Sequence, residues 1–141
     1  MKDYTELINA AVDARERSYS PYSNFMVGAA LLTKSGKIYT GANIENAAYT
    51  PSNCAERTAF FSAVFAGERE FEAIAVAGWA KGGTPGFAYP CGVCRQVMTE
   101  FCDPEAFTVI VTNGKVSENN KFVIHSLAEL LPFGFGPSDL E

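Results

Sequence analysis

The 141-residue chain lacks three features that would assign it to large functional classes. No uninterrupted apolar stretch approaches the roughly 18 residues of a membrane span, so we expect no membrane association. No stripe of Lys and Arg is present and the formal net charge is −5, which argues against a nucleic-acid partner, since phosphate binding needs clustered cations. The first six residues also lack the apolar core of a signal peptide, which predicts a cytoplasmic protein.

Histidine and cysteine are few, and their positions are informative. His125 is the only histidine and lies in an apolar segment, where a packed core or edge residue is more common than a metal ligand. The four cysteines are Cys54, Cys91, Cys94 and Cys102. Without a signal peptide, metal binding is a better interpretation of these cysteines than disulfide formation.

Composition and pattern together predict one domain over residues 1–141 with an α/β fold. Hydrophobic residues make up 48% and charged residues 19%, which is typical of a globular domain. Hydrophobic spacing, turn residues and helix breakers predict an alternation of helices and strands. The predicted helices are 4–17, 54–66, 91–101 and a short turn at 126–130, and the predicted strands are 25–32, 37–42, 71–78, 107–111 and 122–124. This order favours a mixed sheet with helices on both faces.

Three of the cysteines have the spacing of a catalytic zinc site. Cys91 and Cys94 are three residues apart at a predicted helix start, so their sulfurs share one face, and Cys54 opens another helix. A helix N-terminus favours thiolate, which is the form that binds zinc. A closed site with Cys102 as a fourth ligand is the alternative, but eight helical residues after Cys94 rise about 12 Å, which is too far. Three ligands leave a fourth position open for water.

Two charged residues, Glu56 and Arg57, follow Cys54 after a single alanine. Glu56 has a structural interpretation, in which it stabilises the helix N-terminus, and a catalytic one, in which it acts as a general acid and base. Beside three cysteines the catalytic interpretation is favoured. Arg57 is either a surface residue or a donor to the thiolates, where it would withdraw charge from them and restore the Lewis acidity of zinc. We favour the second role.

These motifs resemble the small, three-cysteine cytidine deaminase family, and the resemblance runs from about residue 4 to the C-terminus. A cysteine two residues before a glutamate, followed later by Pro-Cys-x-x-Cys, is the zinc deaminase pattern. Further segments resemble the family in order, namely 20–25, 27–30, 41–49, 130–132 and 135–137. The glycine-rich segment 81–87 is longer than the family pattern. The resemblance implies a three-layer α/β/α sandwich with a five-stranded mixed sheet.

The family resemblance also implies residue roles. Cys54, Cys91 and Cys94 would hold one Zn²⁺ per chain, with Glu56 as the proton shuttle. The residues similar to the substrate-binding positions of the family are Asn43 and Glu45 for the ribose hydroxyls, Phe25 for the pyrimidine face, and the backbone near Ala55 and Cys91 for the polar edge of the base. Tyr49 and Phe135 resemble residues that complete a neighbouring subunit's pocket, which implies a homotetramer.

The implied reaction is the hydrolytic deamination of cytidine and deoxycytidine to uridine and deoxyuridine, a step of pyrimidine salvage. A blasticidin S deaminase-like enzyme shares the Cys-Ala-Glu and Pro-Cys-Gly-x-Cys-Arg-Gln motifs, but the Asn43 and Glu45 pair suits vicinal hydroxyls better. A non-catalytic zinc-binding module is the alternative from another class, and it would need neither Glu56 nor an open ligand position. A small-molecule nucleoside is therefore the expected partner, besides the chain itself.

Overall fold

The computed structural model describes residues 2–141 of the chain. Within this range the elements follow in the order α1 (Thr5–Arg15), β1 (Phe25–Thr33), β2 (Ile38–Ala42), α2 (Ala55–Phe65), β3 (Phe71–Ala80), α3 (Gly92–Phe101), β4 (Thr108–Thr112), β5 (Phe122–Ser126) and α4 (Leu127–Leu130), with a 3-10 helix at Pro137–Leu140. Across residues 2–141, every helix is too short or too polar to cross a bilayer.

The five strands form one mixed sheet in the order β2-β1-β3-β4-β5. β1 is antiparallel to both β2 and β3, β3 and β4 are parallel, and β5 is antiparallel to β4. The β1–β2 connection is a tight turn in which Gly36 has φ +96°, a conformation that glycine adopts at low cost. The parallel pair requires a crossover, which α3 supplies. The five-stranded mixed sheet expected from the sequence is confirmed.

Both faces of the sheet are covered by helices. On one face Leu7, Ile8 and Ala11 of α1 pack against small side chains, and on the other α2 and α3 pack through larger ones such as Phe60 and Met98. The apolar run of β3 serves both layers, because alternate residues of a strand point to opposite faces. Ala73, Ala75 and Ala77 face α1, and Ile74 and Val76 face α2 and α3. This is the predicted three-layer α/β/α sandwich.

Two glycines allow helices to approach the sheet closely. A Cβ atom at Gly28 would lie 2.2 Å from the carbonyl oxygen of Ala11 and the backbone nitrogen of Arg15 in α1. A Cβ atom at Gly41 would lie 2.5 Å from the backbone nitrogen of Ala59 in α2. Side chains at these positions would push the helices outward, and α2 begins at the candidate site described below. The two glycines therefore help to set the position of that site.

Several predicted element boundaries were wrong by a few residues. The first helix is Thr5–Arg15 rather than 4–17; its N-cap residue is Tyr4, although the Asp3 carboxylate accepts a hydrogen bond from the Thr5 N–H at 2.9 Å. β5 reaches Ser126 because it pairs with β4 along its whole length, including His125 opposite Val109. The 3-10 helix near the C-terminus was not predicted. The length of a strand depends on a pairing partner elsewhere in the sequence, and helix ends fray by one or two residues.

Candidate active site and metal centre

The N-termini of α2 and α3 meet at one place and bring three cysteines together. Cys54 is the N-cap residue of α2 and Cys91 that of α3, and both have extended backbone conformations. Cys94 lies in the first turn of α3, where its backbone N–H donates to the Cys91 sulfur at 3.4 Å. The free N–H groups and the dipole of each helix favour a negatively charged sulfur there.

The sulfur spacing fits a tetrahedral zinc ion. The Sγ atom of Cys91 lies 3.8 Å from that of Cys54 and 3.5 Å from that of Cys94. All three sulfurs lie within 4.8 Å of one another. Zinc–sulfur bonds of about 2.3 Å in a tetrahedron separate the sulfurs by about 3.8 Å. Three thiolates therefore suit one zinc ion, with a fourth position left for water or substrate.

The thiols influence one another's ionisation. A hydrogen bond from the Cys94 thiol is the main cause that lowers the pKa of Cys54, to about 5, against the effect of burial. The guanidinium of Arg57, whose Nη2 lies 3.2 Å from the Cys54 sulfur, lowers it further. The same hydrogen bond and burial raise the pKa of Cys94, because a second negative charge beside the first is unfavourable. A bound divalent cation removes this penalty and allows all three thiols to ionise.

Glu56 lies in the first turn of α2 and is nearly inaccessible to solvent, with 4% of its surface exposed. Burial raises the pKa of its carboxyl group to about 7, and the negative charge of Cys54 contributes in the same direction. A carboxyl group with a pKa near neutrality can both accept and release a proton under physiological conditions. Glu56 is thus suited chemically to acid and base catalysis beside the cysteines.

A cavity of about 290 Å³ opens onto these residues. Of the residues expected at a substrate site, six line it, namely Phe25, Asn43, Glu45, Ala55, Glu56 and Cys91. Cys54 and Arg57 line it as well. The structure therefore brings together, around one cavity, residues from β1, from the segment after β2 and from the starts of α2 and α3.

Asn43 has most of its hydrogen-bonding capacity occupied by the protein. Its Oδ1 accepts from the backbone N–H of Val27 at 2.9 Å and from the Ser18 hydroxyl, and its Nδ2 donates to the Phe25 carbonyl at 2.8 Å. An amide NH₂ group has two donors, so one remains for a ligand. Asn43 thus ties the segment after β2 to β1 and can offer one hydrogen bond to the cavity.

Glu45 is similarly engaged. Its Oε1 accepts from the backbone N–H groups of Tyr22 and Ser23 at 3.0 and 3.1 Å, and its Oε2 accepts from the Ser23 hydroxyl. The Ser23 hydroxyl is the main cause that lowers the pKa of Glu45, and burial opposes it only in part. Each carboxylate oxygen can accept two hydrogen bonds, so Oε2 keeps the capacity for one ligand hydroxyl.

Two of the predicted substrate residues lie outside this cavity. Tyr49 is 76% exposed and lines a second, adjoining cavity with Glu45 and Tyr22. Phe135 is 59% exposed, and its carbonyl oxygen accepts a hydrogen bond from Nε2 of Gln96 at 2.8 Å. Neither side chain lines the cavity next to the cysteines of its own chain. Both rings are available at the surface.

The structure adds residues that were not predicted. Tyr89, Ala88 and Asn53 line the cavity. Gly78 makes room for this arrangement, since a Cβ atom there would lie 2.8 Å from the Cβ of Ala88. The available signal for Tyr89 was its position next to the Pro-Cys motif, at the end of the long glycine-rich segment.

Cys102 and His125 are separate from the cysteine cluster, as expected. Among residues 2–141, the metal-capable group includes Cys54, Cys91 and Cys94 but neither of these two side chains. Burial raises the pKa of the Cys102 thiol to about 12, which is typical of a packed structural cysteine. His125 lies on β5 and contacts Tyr89 and Glu129.

This protein has the features of a zinc-dependent α/β enzyme. Its α/β/α sandwich holds three clustered cysteines and a buried carboxyl group at one cavity. Residues 1–111 match the model of the cytidine and deoxycytidylate deaminase zinc-binding region. A cytidine deaminase of Sporosarcina psychrophila is 49% identical over 140 residues, covering 98% of this chain and 95% of the relative, and one of Halalkalibacterium halodurans is 47% identical, covering 98% of each. The 1.6 Å crystal structure of a cytidine deaminase from Burkholderia pseudomallei has a TM-score of 0.81 and 47% identity, over 96% of this chain and all of that one.

The chain therefore belongs to the cytidine and deoxycytidylate deaminase family. Because the matching region is a zinc-binding one and the three sulfurs have zinc spacing, the predicted zinc cofactor is also confirmed.

Proposed function

We propose that this protein catalyses the zinc-dependent hydrolytic deamination of cytidine and deoxycytidine to uridine and deoxyuridine, as a single catalytic domain over residues 1–141. The observation that carries the proposal is Glu56: a buried carboxyl group with a pKa of about 7, beside the three-cysteine cluster, at a cavity of about 290 Å³. A non-catalytic zinc module would have no need for a buried carboxyl group at this position. The family membership of the chain supports the same reaction.

Cys54, Cys91 and Cys94 would hold the zinc ion. When bound, zinc acts as a Lewis acid that lowers the pKa of a water molecule in its open position. Glu56 would take a proton from the attacking water and deliver it to ring nitrogen N3, which makes C4 electrophilic. Glu56 would then take the second proton from the hydroxyl group formed on C4 and deliver it to the amino group, which leaves as ammonia while C4 becomes a carbonyl. Arg57 would withdraw charge from the Cys54 thiolate through the 3.2 Å hydrogen bond.

The remaining cavity residues would orient the nucleoside. Phe25 is partly exposed at the cavity and would pack on the pyrimidine face, as aromatic rings commonly do. Both Asn43 and Glu45 would bind the ribose hydroxyls. Asn43 would donate its free side-chain N–H, and Oε2 of Glu45 would accept a hydrogen bond. Backbone groups at Ala55 and Cys91 would bind the polar edge of the base.

Assembly into a homotetramer would complete the site. Tyr49 and Phe135 are exposed, lie outside their own cavity, and would close the pocket of a neighbouring subunit. Further apolar side chains are exposed near the C-terminus and on α2, namely Phe61, Phe65, Phe133 and Leu140. Such a surface favours association. We further propose a role in pyrimidine salvage in the cytoplasm.

The test is the ultraviolet spectrum of cytidine, deoxycytidine and blasticidin S during incubation with the zinc-loaded protein. We expect conversion of the two nucleosides. Glu56→Gln keeps the shape of the side chain but cannot transfer a proton, so we expect turnover to fall by about 10²–10⁴-fold with zinc content unchanged. If only blasticidin S is converted, cytidine and deoxycytidine are not the substrates. Full activity in Glu56→Gln would refute the role of Glu56.

A further inference from the structure

Three side chains form a hydrogen-bonded series that ends at the cavity. The Tyr89 hydroxyl lies 3.3 Å from Nε2 of His125, and Nδ1 of His125 lies 3.3 Å from Oε2 of Glu129. The Tyr89 and His125 rings are also in contact, with centroids 5.6 Å apart and an interplanar angle of 55°. Tyr89 lines the cavity, whereas His125 and Glu129 do not.

Glu129 is held in place by the start of α4. Its Oε1 accepts from the backbone N–H of Ser126 at 3.0 Å and from the Ser126 hydroxyl at 3.2 Å, and its own N–H donates to that hydroxyl at 3.2 Å. This is a capping box, which fixes the side chains of both residues. Oε2 is left free to orient the imidazole. The Ser126 backbone hydrogen bond, followed by the bond to His125, lowers the pKa of Glu129 and keeps it ionised.

The carboxylate determines which imidazole nitrogen carries the proton. An ionised carboxylate only accepts hydrogen bonds, so Nδ1 of His125 must donate to it. In a neutral imidazole Nε2 is then the acceptor, and the Tyr89 hydroxyl donates to it. The geometry thus assigns a direction to the series, from Tyr89 through His125 to Glu129.

The backbone next to Tyr89 is anchored to the same helix. The carbonyl of Pro90 accepts from Nε of Arg95 at 2.7 Å, and Nη1 of Arg95 donates to the carbonyl of Leu130 at 2.5 Å. Leu130 and Glu129 are both in α4. The Tyr89 side chain and the neighbouring backbone are therefore both tied to one element, although Tyr89 is 46% exposed.

We propose that Tyr89 is a specificity-determining wall of the substrate cavity, and that His125, oriented by Glu129, is the residue that positions it. The proposal rests on the proposed function. Tyr89 precedes the cluster residue Cys91 by two positions and lines the same cavity. The reacting amino group must lie near the cysteine cluster, and we assign the Tyr89 ring to that end of the cavity. The ring then limits the size of a substituent on that amino group. Glu45, by contrast, also lines the second, adjoining cavity, together with Tyr22 and Tyr49.

The contact between Tyr89 and His125 can be tested by a measurement that does not depend on enzyme activity. His125 is the only histidine of the chain, so ¹⁵N-histidine labelling gives a single imidazole spin system in the intact zinc-loaded protein. We expect the Nδ1–H tautomer, with a shift of the Nε2 resonance in Tyr89→Phe and a change in tautomer population in Glu129→Gln. Tyr19→Phe is the matched control, since Tyr19 is 55% exposed and does not line this cavity. An Nε2 resonance identical in wild type and Tyr89→Phe would overturn the assigned contact.

The specificity role is tested by the ratio of kcat/KM for N4-methylcytidine to that for cytidine. One methyl group against a cavity wall changes selectivity by about 10–100-fold. We expect Tyr89→Ala to raise the ratio by about that factor, and His125→Leu to raise it less because the ring remains but is no longer held. His125→Gln retains an acceptor and should restore much of the wild-type ratio. Tyr19→Phe should leave it unchanged.

The two kinds of failure are distinguishable. If the zinc-loaded wild type does not convert cytidine, the proposed function fails, while the nuclear magnetic resonance result still decides the contact. If the wild type is active but Tyr89→Ala leaves the ratio unchanged, only the specificity role of Tyr89 fails. If Tyr89→Ala raises the ratio and His125→Leu does not, Tyr89 acts without positioning by His125 and that half of the proposal is overturned.

Discussion

The guanidinium of Arg57 donates a hydrogen bond through Nη2 to the sulfur of Cys54, at 3.2 Å. Both residues belong to the first turn of α2 or its N-cap, so the geometry is set by three residues of local helix. Three thiolates and one Zn²⁺ ion carry a net charge of −1, which weakens the zinc as a Lewis acid. A cation bonded to one of these sulfurs offsets that effect.

Removing this hydrogen bond should lower activity more than it lowers zinc content. Groups that hydrogen-bond to metal ligands typically contribute about 10–100-fold to activity or metal affinity. We expect Arg57→Gln to reduce kcat by about 10–100-fold. Arg69→Gln is the matched control, because Arg69 donates to the carbonyls of Val64 and Glu68 at the other end of α2. Zinc analysis and steady-state kinetics are the measurements, and an unchanged kcat would refute the role of Arg57 in tuning the zinc ion.

Glu45 should contribute to nucleoside binding through its free acceptor. Loss of one charged hydrogen bond costs about 1.5–3 kcal/mol, so Glu45→Gln should raise KM for cytidine by about 10–100-fold. A nucleoside that lacks the bonded hydroxyl should be affected much less. If Glu45→Gln has the same KM as the wild type for both nucleosides, Glu45 serves only to hold the segment that contains Tyr22 and Ser23.

We expect the ionisation of Glu45 to make cytidine binding and the stability of the folded protein depend on pH. Because the Ser23 hydroxyl and two backbone N–H groups hold the pKa of Glu45 below its ordinary value of 4.5, the ionised form is favoured in the folded protein. Its contribution to stability is therefore present above the unfolded-state pKa and is lost as pH falls through the folded-state pKa. Ser23→Ala should move the onset of weaker cytidine binding to higher pH. The measurement is KM for cytidine from acidic to neutral pH. Identical pH profiles for the wild type and Ser23→Ala would contradict this prediction.

Zinc binding should distinguish the cysteines. We expect about one zinc ion per chain in the wild type and in Cys102→Ala, since Cys102 is not part of the cluster. Cys91→Ala should lose most of the metal and the activity together. Metal analysis of purified proteins measures this, with thermal unfolding to separate metal loss from misfolding. Zinc loss in a folded Cys102→Ala protein would contradict the three-ligand site.

The C-terminal segment should connect assembly with activity. It contains Phe133, Phe135 and Leu140, which are all exposed in the single chain. Truncation after Leu131 should reduce both oligomer size and deamination while zinc content is retained. Phe135→Ala is the finer variant and should lower activity with less effect on assembly. Light scattering after size-exclusion chromatography gives the mass, and an active wild-type monomer would refute the shared site.

The sequence alone was sufficient for the fold class and the order of helices and strands, because these depend on short-range patterns. It also indicated the three cysteines, through their local spacing and the family resemblance, although the contact between Cys54 and Cys91, 37 positions apart, depends on the packing of α2 and α3. Helix and strand periodicity, together with turn residues and helix breakers, predicted the helices and strands to within a few residues, apart from the 3-10 helix. Cys54 and Glu56 are neighbours in one helix start, as are Cys91 and Cys94 in another. Such local spacing survives folding unchanged.

Only the tertiary structure decided which distant side chains meet. The occupied hydrogen-bonding groups of Asn43 and Glu45 depend on segments about 16 to 25 residues earlier, and no local pattern reports them. The contact of Tyr89 with His125 joins residues 36 positions apart, because β5 pairs with β4 and carries His125 to the end of the segment before α3. Contacts of this kind arise from sheet order and register, which are fixed by the packing of the whole chain rather than by any one stretch of it.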